Sequence, residues 1–447
     1  MERDDILSLS QKHNFWTWSV QHVDDVIPVE KAEGVYFWDF DGTRYLDFNS
    51  TVMCVNIGHG DKRVIKAMTD QLSDLTFAGP HMATKPRVKL GQLLAEVLPK
   101  GLNHYLYTLG GSDANENAVK LARAYTGKFK ILTRYRSYHG ATMGAMALTG
   151  DRRRLAWEPG VMPGVVHFID PYMYRSPFFK NFAKADEEKF AQTYLEHLED
   201  IILCEGPELI AAILIEPVTG TNGILIPPKT YLEGVRKLCD KYKILMIADE
   251  VMTGFGRTGK WFAVNHWGVT PDIITMAKGL TSGYAPLGAV AMSDPIDEYF
   301  ADRVFYGGLT YNGHPVSLAA AIANINVLKE DNLIEKSATR GDTLQRLLEE
   351  LKEKHPSVGD VRSIGLFGAI ELVKNRESKE PISEFNKPLS KTMAAVKRFI
   401  LDNLVFLYVH YNVILIIPPL IITDEQLAEG FKVIDKALEI ADDQVQK

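Results

Sequence analysis

The feature that most constrains this chain is an alternation of short apolar runs with helical patterns through its middle. The runs are HYLYTL (104–109), FKILT (129–133), AAILIEP (211–217), ILMIAD (244–249), DIITMAK (272–278) and LGAVAM (287–292). Between them lie segments such as ENAVKLARAY (116–125) and TYLEGVRKLCDKY (230–242), with apolar residues at helical spacing. Strands that are apolar throughout and separated by helices predict a mostly parallel central sheet flanked by helices on both faces. The flanking sequence reads differently. VYFWDFDGTRYLDF (35–48) predicts a hairpin turning at Asp41-Gly42, and a helical pattern begins near Lys62. A long helical stretch follows Pro315, RSIGLFGAIEL (362–372) alternates like a strand, and the tail from Thr423 is again helical. This order predicts an α/β protein with a large domain over 71–315. A smaller α+β domain is built from both chain ends, 1–70 and 316–447.

Composition removes several function classes. The formal net charge is -7 and no basic block is present, so a nucleic-acid footprint is not expected. Cys54, Cys204 and Cys239 are isolated, which suits reduced thiols in the cytoplasm. The first residues lack a basic segment followed by an apolar one, so no secretory signal is expected. VFLYVHYNVILIIPPLII (405–422) is almost long enough to span a bilayer. His410, Asn412 and Pro418-Pro419 break it, and the reading is two buried strands around a polar turn, with no membrane partner.

Three pieces carry chemistry. Gly110, Gly111 and Ser112 follow an apolar run and open a helix, where backbone N–H groups and the helix dipole favour an anion. Asp113 and Glu116 have capping-box spacing. Alone, this segment reads equally as a glycine turn into a capped helix with no ligand. Asp249 ends another apolar run, at the sheet edge where α/β proteins bind ligands. Lys278 ends a third. Most lysines are solvated, but this amine is flanked by apolar residues and the loop GLTSGYAPLG (279–288). Together they fit pyridoxal 5'-phosphate, which needs a carboxylate at its pyridine nitrogen, an amine at its aldehyde and donors for its phosphate. Tyr138 in YRSYHGA (135–141) is placed to stack on a ring, and core packing reads the same way for Tyr138 and His139. His139 has no partner at metal-ligand spacing, so no metal site is expected.

These residues, in this order, resemble the class III aminotransferases of the fold-type-I superfamily along essentially the whole chain. The resemblance rests on DGTRYLDF, GGSDANE, YHG, EPV (216–218), ADEVMTGFGRTG (248–259), MAKGLTSGYAPLG and GGLTYNGHP (307–315). It implies that Lys278 carries the cofactor as a Schiff base and that Asp249 contacts the ring nitrogen. Gly111 and Ser112 would bind phosphate, Tyr138 and Val251 would cover the two ring faces, and His139 would lie beside the cofactor. Glu216 resembles a supporting carboxylate near the ring, or only a hydrogen-bond partner behind it. Thr310 resembles a threonine that reaches the phosphate from a partner subunit, which implies a homodimer with shared sites. The wording is closest to ω-amine and taurine-type transaminases. Relatives acting on γ-amino acids with 2-oxoglutarate carry an acid where this chain has Thr221. Many ω-transaminases place a mobile arginine near the position of Tyr408. The expectation is therefore a primary-amine or ω-amino donor (taurine, β-alanine, an aliphatic or aryl amine) and pyruvate as acceptor, the cofactor passing through its aminated form. A 2-oxoglutarate-dependent taurine or ω-amino acid aminotransferase is the alternative. A non-catalytic cofactor-binding protein is disfavoured because Lys278 and Asp249 are both present. Val52, Met53 and Phe77 are expected to form an apolar substrate mouth, although ordinary core packing reads equally well. Arg136 or Arg175 offer another source of carboxylate binding.

Overall fold

The computed structural model describes residues 3–21, 26–158, 160–179 and 186–445. At its centre is a seven-stranded sheet. Its order is Leu102–Thr108, Gly288–Ser293, Ile273–Met276, Leu245–Asp249, Ile210–Ile215, Lys130–Arg134 and Val165–Phe168. All six apolar runs read from the sequence are in it. Gly288–Ser293 runs antiparallel to both neighbours, and every other pairing is parallel. Ile210–Ile215 is buried along its whole length, as a strand covered on both faces must be. The edge strand Val165–Phe168 escaped the sequence reading because it is short and only partly buried, so its pattern is weak.

Two smaller sheets lie outside the central one, and the first joins the two chain ends. Val29–Glu33, Tyr36–Asp39 and Arg44–Asp47 form a meander, and Val405–Phe406 adds to it in parallel. The expected tight turn is present: Gly42 has φ 78°, and Asp39 Oδ1 accepts from the N–H groups of Asp41 and Thr43. The other sheet pairs Val358–Ser363, Gly368–Asn375, Val413–Ile416 and Tyr408–His410, with Glu380–Pro381 at its side. Tyr408–His410 and Val413–Ile416 are the two strands expected in the long apolar stretch. No helix among the described residues is long and apolar enough to cross a membrane.

One expectation is corrected. Residues 362–372 are not one strand but the ends of two, joined by a turn in which Ile364 N donates to Phe367 O. Gly365 makes this turn with φ 57°, packed so tightly on Thr258 that an added Cβ would lie 2.4 Å from its carbonyl carbon. Alternation survives a hairpin whose arms share a buried face, so periodicity alone runs through the turn.

Candidate active site

The carboxyl ends of the central strands open on a cavity of about 540 Å³. Gly111, Ser112, Tyr138, His139, Glu216, Asp249, Val251 and Lys278 all line it. Lys278 follows the strand Ile273–Met276 on a single 3-10 turn, with a left-handed φ of 40°. A lysine in that conformation is strained. The turn brings it to the sheet edge, half-buried.

Asp249 ends the neighbouring strand and is buried. Its Oδ2 accepts from Asn115 Nδ2 at 2.7 Å and from His139 Nδ1 at 2.7 Å, and its Oδ1 accepts from Val251 N at 3.0 Å. A carboxylate only accepts, so His139 Nδ1 is the donor to Asp249, and its Nε2 lies 3.1 Å from Thr133 Oγ1. Asn115 Oδ1 in turn accepts from Thr275 Oγ1 at 2.7 Å. Three strands and one helix thus fix the orientation of a single carboxylate.

The helix Gly111–Thr126 points its N-terminus into the cavity. An added Cβ on Gly111 would lie 2.7 Å from Val251 Cγ1, so only glycine keeps the cradle and Val251 in contact. Ser112 Oγ accepts from the N–H groups of Ala141 and Thr142 and lies 2.7 Å from Thr142 Oγ1. The capping expectation is corrected here. Asp113 lies inside the first turn and reaches back to accept from the N–H groups of Leu109 and Gly110. The Glu116 side chain reaches away from the helix start and accepts from Gly144 N and Ala145 N. The helix therefore starts three residues earlier than the spacing implied.

Glu216 is buried, and its carboxylate accepts from Tyr138 N at 3.1 Å and Gly220 N at 2.7 Å. Burial pushes its carboxyl above the ordinary range. A nucleophilic amine, an oriented carboxylate, a helix N-terminus and a flat ring thus converge on one cavity. That is the donor set pyridoxal phosphate requires.

A model of the class III aminotransferases matches residues 18–438. The chain belongs to this family. It is 36% identical to the putrescine–pyruvate aminotransferase of Pseudomonas aeruginosa over 421 residues, covering 92% of this chain and 90% of the relative. It is 37% identical to a taurine–pyruvate aminotransferase of Bilophila wadsworthia, over 86% of this chain and 85% of the relative. Among solved structures, the taurine:2-oxoglutarate aminotransferase of Bifidobacterium kashiwanohense, in complex with PLP and glutamate, superposes with a TM-score of 0.96 at 41% identity. That likeness covers 100% of this chain and 99% of the other. The protein is a PLP-dependent class III aminotransferase of fold type I.

The aminotransferase cavity does not gather every residue singled out in the sequence. Thr310 lines a separate cavity of about 460 Å³ with His81 and Arg87. Phe77 packs against Tyr311 and His314. Val52 is 62% exposed and Met53 is in the core, so within one chain these residues do not shape the mouth. Tyr408 is half-buried and stacks on His410. Arg175 is committed to Glu371 and Lys379 O. The Arg136 guanidinium lies over the Phe385 ring at 3.9 Å, and Arg136 does not line the cavity.

Sequence reasoning missed Asn115, Thr275, Trp18 and Arg153. Trp18 lines the cavity, its ring edge-on to Tyr138 at 5.8 Å. The Arg153 guanidinium sits 3.9 Å from the centre of the Tyr138 ring and 5.8 Å from that of Trp18. Its Nη2 donates to Thr221 Oγ1 at 3.1 Å, and Asp151 holds Nε and Nη2. Among the described residues, Nη1 makes no hydrogen bond. A cation thus stands against Thr221.

Proposed function

We propose that this aminotransferase takes its amino group from a small ω-amino donor with an anionic end, of the taurine or β-alanine type, and passes it to pyruvate. The observation that carries this reading is Arg153, stacked on the Tyr138 ring, beside Trp18 and bonded to Thr221, three residues that line the cavity. Its Nη1 is the group that would hold the carboxylate or sulfonate, and Arg is suited to planar, multidentate anion recognition. The relatives named for taurine support the donor, and those named putrescine–pyruvate and taurine–pyruvate aminotransferase support pyruvate as the acceptor.

In this reading Gly111 and Ser112 hold the phosphate, Tyr138 and Val251 cover the ring faces, and Asp249 pairs with the ring nitrogen. His139 and Asn115 orient Asp249, and Glu216 fixes the backbone of Tyr138. When bound, the cofactor supplies an aldehyde for amine exchange and a ring that withdraws electrons from the substrate carbon. Lys278 Nζ first holds the cofactor, then takes the proton from the substrate carbon that bears the amine. Trp18 and Tyr138 exclude water above that carbon.

The same proposal includes a cytoplasmic homodimer, with 1–70 and 316–447 forming the small domain around 71–315. The Thr310 loop supports the dimer. Val304, Tyr306, Leu309 and Tyr311 are exposed there, beside Phe77 and Met82. Both side-chain polar atoms of Asn312, Arg87 Nε and His314 Nδ1 are buried without a hydrogen bond. A second copy would cover these rings, pair these atoms, and receive Thr310 and Phe77 at its own cavity.

The deciding experiment is kinetics of the parent and Arg153→Met with taurine, β-alanine and an uncharged alkylamine, each with pyruvate and 2-oxoglutarate. A charge-assisted hydrogen bond contributes about 1.5–3 kcal/mol, so kcat/KM for both anionic donors should fall about tenfold to a hundredfold. The alkylamine should be spared. Equal loss for all three donors, or a parent preference for 2-oxoglutarate, would refute the reading.

A further inference from the structure

The helix Pro315–Glu330 is buried on nearly every side and is apolar almost throughout. Of its polar residues, Asn324 is fully buried, among alanines, leucines and isoleucines. A buried amide in such a place must be paired. Its Nδ2 donates to the carbonyls of Gly279 at 2.8 Å and Leu280 at 3.0 Å. Its Oδ1 accepts from Ser282 Oγ at 2.6 Å, and Ser282 Oγ accepts from Ile57 N at 3.3 Å.

These partners are the residues that follow Lys278. Their turn is strained at both ends, since Lys278 has φ 40° and Ser282 φ 50°, and neither is glycine. The turn is also blocked on its far side. An added Cβ on Gly279 would lie 2.5 Å from Asn56 Nδ2. Asn56 cannot retreat, because Arg257 Nη2 donates to its Oδ1 at 2.8 Å and its Nδ2 donates to Phe255 O at 2.9 Å. Arg257 is itself fully buried and holds Leu366 O at 3.0 Å and Pro418 O at 2.5 Å. Asn324 therefore pulls the turn from the helix side while Asn56 stops it from the other.

We infer that Asn324 is a positioning residue for Lys278: by clamping the carbonyls of Gly279 and Leu280 and the hydroxyl of Ser282, it keeps the amine aimed at the reacting carbon. This rests on Lys278 being the reactive amine. Asn324→Leu removes the clamp, and Asn324→Asp sets a carboxylate against two carbonyls. Ser282→Ala withdraws one hydroxyl and keeps the test open if the helix variants do not fold.

Two measurements test it. In the cofactor-free protein, backbone hydrogen exchange over residues 279–285 should quicken about tenfold or more in the variants, while the central strands keep their rates. In single-turnover transfer from a donor amine, the rate should fall about a hundredfold at unchanged donor affinity, as expected for a reacting group displaced by about an ångström. Unchanged exchange in the turn would overturn the inference, and so would faster exchange with the transfer rate kept, because the clamp would then not position the amine. Borohydride fixation of the cofactor on another lysine in the parent protein would instead overturn the reading of Lys278.

Discussion

His410 shows how a single side chain writes pH dependence into this fold. Burial, and then repulsion from Arg153, push it down to about 4. A base depressed in the folded state adds stability that is complete above its unfolded value near 6.5 and is lost as pH falls through 4. The loss should amount to about 3 kcal/mol at pH 4. Melting curves of the parent and His410→Phe between pH 7 and pH 4 should diverge on acidification, with the variant falling less. Parallel curves would show that His410 is not the source. Residues differ sharply in what the sequence reveals about them. Lys278 and Asp249 were legible because a charge at the end of an apolar run has few places to go. Arg153 was not, because it is the middle of three consecutive arginines. Arg152 is exposed and Arg154 pairs with Glu158, while Arg153 turns inward onto the Tyr138 ring. Only tertiary packing separates them. Asn115 and Thr275 were hidden for a similar reason: each is an ordinary polar residue until the strand ends meet.

At the level of elements, the helix Gly111–Thr126 depends on one missing methyl. Gly111→Ala places a Cβ against Val251, and such overpacking costs about 1–3 kcal/mol. Because Val251 and the helix N-terminus face the same cavity, the strain should appear as cofactor affinity weakened about tenfold. Titration of the cofactor-free protein measures this, and unaltered affinity would mean that the cradle yields. Element identity was readable wherever an apolar run had turn residues at both ends. It failed where two arms of a hairpin shared one period, at 362–372, and where an edge strand was too exposed to show a pattern, at Val165–Phe168. Helix starts were read late because Asp113 caps backward from within the first turn.

For the whole molecule, the proposal of shared sites makes a quantitative demand. Lys278→Ala chains and Thr310→Asp chains should each be nearly inactive alone. Random re-pairing in a two-fold dimer restores one intact site in each mixed pair, so activity should recover to about a quarter of the parent level. No recovery over either variant, with mixed dimers verified by mass spectrometry, would show that Thr310 and Lys278 do not meet across the dimer interface. The overall architecture was legible because six apolar runs demanded a covered sheet. The strand order was not, since nothing local states that Gly288–Ser293 inserts between Leu102–Thr108 and Ile273–Met276. That insertion governs when the strand before Gly111 joins the sheet. A nascent chain that has emerged only as far as residue 287 already holds Gly111, Asp249 and Lys278, yet the strand that joins the cradle's strand to the lysine's is absent. Pairing of Thr108 with Gly288 spans so much chain that it is slow to form. Until that late strand docks, Leu102–Thr108 has no place in the sheet, although the strands that lead to Asp249 and Lys278 already pair with each other; a truncation just before it should leave the strand that feeds Gly111 unseated.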